Sequence, residues 1–169
     1  MRKYVVVIAT VLAFYMDAVL FPLIGSAWFM PEALIALFVS FGVLMGGGNA
    51  ALLGAGVGLL LDIVCNKYVG ISSVVLLGAG LLGGIFYNKF YADNMIIPAL
   101  TAAALMFVKE HLMLIVVLVS GGRIASYIMT LLTHILPSAL LTGGLCAAFH
   151  FILRRIIFSP LRRRDIDNR

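Results

Sequence analysis

The chain has 169 residues, of which 63% are hydrophobic and 11% charged, with a mean hydropathy of +1.15. A soluble domain is roughly 45–50% apolar and about 25% charged, so a water-soluble globule of this composition would expose far more contiguous apolar surface than monomers carry. The net charge of +5 does not point to nucleic acid, because eight of the twelve basic residues lie near the two ends: Arg2, Lys3, Arg154, Arg155, Arg162, Arg163, Arg164 and Arg169. That distribution is a positive-inside signal, and the basic tail also suits anionic lipid headgroups.

A membrane-spanning helix needs about 20 apolar residues. Six would leave only about 50 residues for loops and both ends, too few for a soluble catalytic domain. The composition therefore predicts an all-α polytopic bundle of about six transmembrane helices, with residues 1–153 as one membrane domain and 154–169 as a basic cytoplasmic tail.

The first helix runs from Tyr4 to Ile24 and ends at Pro22 and Gly25. It exceeds the 7–15 apolar residues of a signal peptide, and no A-x-A cleavage site follows, so it reads as retained. Asp17 lies about one turn from its end, within reach of the interface. Trp28 and Phe29 suit an interfacial loop. A second helix opens at Pro31, whose missing N–H is harmless in a first turn, beside Glu32, which suits the positive end of the helix dipole. It runs to Met45, and Gly46-Gly47-Gly48-Asn49 reads as a tight turn.

The third helix, from Ala50 to Asn66, is short for a span and carries Asp62 near its end. That carboxylate either reaches the headgroups or orders the next loop, Cys65 to Gly70. The fourth runs from Ile71 to Tyr87. The fifth, from Met95 to Ser120, is interrupted by Lys109-Glu110-His111. The sixth runs from Tyr127 to Leu153, with Pro137 inside it. Six spans put both termini on one side, and the arginine-rich tail makes that side the cytoplasm. The alternative is five spans with a re-entrant hairpin near residues 41–66.

Small residues recur four apart at Gly42/Gly46, Gly54/Gly58, Gly80/Gly84 and Gly144/Ala148. Such pairs let helix backbones approach closely in lipid, within the chain or against a partner helix. A charge at the bilayer centre costs roughly 2.5–3.5 kcal/mol on insertion scales. Lys109, Glu110 and His111 therefore form either a structural polar patch or an ion relay; adjacent side chains diverge by about 100°, so Lys109 and Glu110 cannot face one partner.

No catalytic constellation emerges. Gly78-Ala79-Gly80-Leu81-Leu82-Gly83 matches a dinucleotide fingerprint in letters but lacks the acidic residue and βαβ context. His111, His134 and His150 share no metal-ligand spacing, so neither cofactor nor metal is expected. Cys65 and Cys146 read as small buried hydrophobes. Ser72, Ser73, Ser138 and Ser159 have no nucleophile-elbow context.

Two features resemble a known family. One is Pro31-Glu32-Ala33-Leu34 opening a helix. The other is Gly54-x-x-x-Gly58-Leu59-Leu60-Leu61-Asp62-Ile63, followed by Gly70 and another apolar helix. Both are similar to the rod shape-determining MreD family, as are the length, the short loops, Pro137 and the basic tail. Glu32 departs from the more usual Asp or Asn, and Thr142-Gly143-Gly144 stands where an asparagine is often found. The resemblance implies a non-enzymatic protein of the bacterial cytoplasmic membrane within the cell-elongation machinery. Its partners would be an MreC-like bitopic protein, MreB, the RodA polymerase and a penicillin-binding transpeptidase. It also implies that Pro31, Glu32, Gly54, Gly58, Asp62 and Gly70 shape a partner-binding surface. The alternative is a substrate-binding component of an energy-coupling-factor vitamin transporter, with Ala9 and Ala13 as an A-x-x-x-A docking stripe and few polar residues converging on a ligand pocket.

Overall fold

The computed structural model describes the backbone of residues 2–24, 30–65, 70–87, 94–121 and 127–167, and side chains within these from 4 to 23 and from 30 to 156. The described residues form six helices and no strand. Helix α1 comprises Arg2–Tyr15, a π-helical stretch Met16–Leu20 and Phe21–Ile24. Helices α2 to α5 are Ala33–Met45, Gly47–Cys65, Ile71–Ile85 and Ile96–Val119. Helix α6 comprises Tyr127–Thr130, a second π-helical stretch Leu131–Ile135 and Leu136–Asp167. The last helix thus continues well past Leu153. The loop residues Trp28, Phe29, Asn66, Lys67, Lys89 and Arg123 lie outside the described residues.

The chain is a helical membrane bundle. Among the described residues, four helices are long and apolar enough to cross a bilayer: the segments Tyr4–Leu23, Gly47–Cys65, Ile96–Val119 and Tyr127–Ile156. Ala33–Met45 and Ile71–Ile85 are apolar but shorter. The third helix, read from sequence as short, is a full 19 residues, because only Gly46 interrupts the chain before it. Gly46 takes φ +98, a left-handed conformation that glycine alone enters freely. Gly47, Gly48 and Asn49 are helical, so the expected four-residue turn shrinks to one residue.

Helix α2 is the hub, touching all five other helices. Every residue from Ala33 to Leu44 is buried, and a helix apolar all round belongs in the interior. At 1.5 Å per residue, its 13 residues rise about 20 Å. Conversely, apolar stripes such as Leu52, Leu59 and Ile63 on α3 are exposed.

The closest pairing joins α3 to α4 along a glycine seam. A Cβ on Gly54 would stand 2.6 Å from the Leu76 carbonyl oxygen, and one on Gly58 2.6 Å from Ser73 Cα. Gly80 and Gly84 abut Ala51 and Gly47 in return, and Gly42 of α2 abuts Gly83. Three of the four small-residue pairs therefore include glycines that pack within the chain. Gly144 does not: nothing lies within 4 Å of its Cβ position, and Gly143 instead meets the Ala99 carbonyl oxygen of α5. The dinucleotide-like run at 78–83 is helix interior, with Gly80 and Gly83 serving these contacts.

Both π-helical stretches end two residues before a proline, Leu20 before Pro22 and Ile135 before Pro137. Proline removes the bond to the carbonyl four residues back, here that of Ala18 or Thr133, each inside a π stretch. The wider turn absorbs the lost bond, so α1 and α6 continue through prolines that would otherwise break them. Pro22, expected to end the first helix, lies inside it.

Candidate functional site

One end of the bundle gathers the end of α1, the starts of α2 and α4, and the end of α3. Here α2 begins inside the protein, where its first N–H groups need partners other than water. Side chains of other helices supply them. Asp17 of α1 accepts from Ala33 N–H at 2.7 Å and from Leu34 N–H at 2.9 Å. Ser138 Oγ of α6 accepts from Met30 N–H and Thr142 Oγ1 from Glu32 N–H, both at 3.1 Å. Between them sits Pro31, which has no N–H to satisfy. A carboxylate also favours the positive end of the helix dipole, so Asp17 holds the place expected for Glu32.

Glu32 is therefore free for another task. It precedes the helix in an extended conformation and makes no side-chain cap. Its Oε2 meets Lys109 Nζ of α5 at 2.5 Å, with side chains 7% and 16% exposed. Its Oε1 is buried and has no hydrogen-bond partner among the described residues. Glu110, one residue on, faces a different group: its Oε2 lies 3.7 Å from His134 Nδ1 of α6. The expected divergence of Lys109 and Glu110 holds, yet the helix carrying them is unbroken. His111 turns elsewhere, toward the Phe107 carbonyl at 2.8 Å and the Tyr127 hydroxyl at 2.9 Å.

These groups line one cavity of about 430 Å³, with Asp17, Glu32, Lys109, Glu110 and His134 on its walls beside Phe21, Met30, Met106 and Met113. The sequence reading found few polar residues converging on a pocket. The structure brings five titratable side chains together from α1, α5, α6 and the approach to α2. Asp17 is half-buried and caps α2 from the neighbouring helix. Cys65 is exposed and touches the cavity rim, whereas Cys146 is buried beside Ser40.

The remaining motif residues assemble elsewhere. Asp62 Oδ2 accepts from Gly70 N–H at 2.8 Å, Ser72 N–H at 3.1 Å and Ser73 N–H at 3.4 Å. It thus caps α4 from the end of α3. Gly70 sits at φ +110, where any side chain would strain the backbone. Pro31 and Glu32 belong to the cavity; Gly54, Gly58, Asp62 and Gly70 belong to the α3–α4 hairpin.

No family model matches the chain, and neither a curated protein nor a solved structure matches it.

Proposed function

We propose that the chain is a non-enzymatic scaffold of the bacterial cell-elongation complex, as its resemblance to the MreD family implies. In this reading both termini lie in the cytoplasm, and the helices hold an MreC-like bitopic protein against the glycan polymerase and transpeptidase. The observation that carries it is the common use of Gly54, Gly58, Asp62 and Gly70. All four act on the backbone at the start or along the length of α4. They build a rigid hairpin whose outer stripe, Leu52, Leu59 and Ile63, is exposed. Small residues at the seam let α3 and α4 pack closely in lipid, and this leaves the outer stripe as the surface open to a partner's span.

A mild-detergent pull-down of the tagged protein from its native membrane tests this, with co-purifying proteins identified by mass spectrometry. An MreC-like protein together with cell-wall synthases is the expected result. A cysteine at Leu59 should then crosslink to the single span of that partner. Recovery of none of these proteins overturns the assembly role.

The cavity favours a second reading, that of a transporter's substrate-binding component, whose pull-down would instead recover an ATPase pair and a coupling subunit. Against it stands the proposed docking stripe: Ala13 is fully buried and Ala9 packs on the core. Ala13 is thus closed to a partner, and Ala9 is partly covered.

A further inference from the structure

At about 430 Å³ the polar cavity falls among small-molecule sites, which span roughly 300–1,000 Å³. One water takes about 30 Å³ of liquid volume. The cavity wall is rich in carboxyl groups: Asp17, Glu32 and Glu110 share it with a single lysine, Lys109, and with His134 beside Glu110. The N-terminus of α2, which would otherwise attract an anion, is already filled by the Asp17 carboxylate. What the cavity still offers is an acceptor: Glu32 is 5% exposed, its Oε2 holds Lys109, and its Oε1 is unpartnered among the described residues.

The framework around this acceptor is specialised. Asp17 and His134 each sit in a proline-linked π-helical stretch, and such stretches recur at functional sites. A metal ion does not suit the arrangement, since among the described residues no three His, Cys, Asp or Glu are placed to hold one. An ammonium group does: it donates only and accepts nothing, which matches a wall of three carboxyl groups and one lysine.

We propose that this cavity binds a small organic ammonium ion. Its N–H groups donate to Glu32 Oε1 and face Glu110, while its carbon body lies against Phe21, Met106 and Met113. The ammonium comes either from a free amine or from the headgroup of an ethanolamine lipid. Binding does not depend on the assembly role proposed above: the hairpin lends Leu61, Cys65, Ile71 and Ser72 to the cavity wall, whereas its exposed stripe, Leu52, Leu59 and Ile63, lies outside it.

The test uses the full chain in nanodiscs of phosphatidylglycerol, titrated with n-butylammonium. 1-Butanol serves as the uncharged analogue and tetramethylammonium as a cation without N–H. Butylammonium should raise the thermal midpoint and bind at least tenfold more tightly than either control by calorimetry. Glu32→Gln should abolish binding. Since that change also strands Lys109, Glu110→Gln is the companion variant, expected to weaken binding about fivefold while the protein stays folded by circular dichroism. If phosphatidylethanolamine in the nanodisc competes with butylammonium, the lipid headgroup is the source; if it does not, a free amine is. Equal binding of 1-butanol, no binding of butylammonium, or binding unaffected by both variants overturns the proposal.

Discussion

Two carboxylates cap two helices in this protein, and they do so in different ways. Asp62 caps α4 from the helix just before it, 8 to 11 residues back along the chain. Asp17 caps α2 from 16 to 17 residues back, and it shares its surroundings with Glu32, Lys109, Glu110 and His134. Around Asp62 the neighbours are glycine backbones fitted to one another, and the hairpin is closed. Around Asp17 the neighbours are charged side chains from several helices, and a cavity remains. The same local device serves a rigid joint in one region and a polar chamber in the other.

The contrast can be broken by substitution, and the largest effect should come from the chamber. Lys109→Met leaves the Glu32 carboxylate buried and unpaired, and breaking such a pair costs about 3–5 kcal/mol. Combining it with Glu32→Gln should recover most of that loss in reversible unfolding from detergent. Equal destabilisation of the single and double variants would show that the pair is not the coupled unit described.

At the hairpin, Gly58→Val drives atoms into the Ser72–Ser73 backbone and should cost about 1–3 kcal/mol as overpacking. The double variant logic fails there, because no second side chain exists to remove.

Next in size are the two caps. Asp62→Ala and Asp17→Ala should each cost about 0.5–2 kcal/mol, read most sharply by amide hydrogen exchange. The first should speed exchange at Gly70 and Ser72, the second at Ala33 and Leu34. Cross-talk between the two sets of amides would mean the regions are not separate.

The smallest effect sharpens the seam itself. Gly144→Ala meets nothing near the added methyl and should stay within about 0.5 kcal/mol of the parent, unlike the glycines of α3 and α4.

The hairpin was largely legible in the sequence, since Gly54, Gly58, Asp62 and Gly70 act within one stretch of chain. Spacing four apart specifies one helix face, and a carboxylate before a glycine specifies a cap. The chamber was not legible, because Glu32 and Lys109 are 77 residues apart and nothing local says that they meet. One signal was present: Asp17 precedes Pro22 and His134 precedes Pro137 within apolar helices. A titratable residue one turn or so before such a proline sits where the backbone must widen. Reading Pro22 as the end of the first helix hid this in α1. Gly144/Ala148 shows the limit of spacing alone: it marks a face of small residues, but not whether that face packs within the chain, and here both residues are exposed.

Because α2 is enclosed by its neighbours along its whole length, acyl chains do not act on it directly. A bilayer that thins or thickens makes spanning helices tilt or bend to match it, and here that strain falls on α1, α3, α5 and α6. The polar chamber hangs from the end of α2, which its neighbours shield from this adjustment. Its depth is thus set by protein packing, and the same chamber should persist in membranes of different thickness.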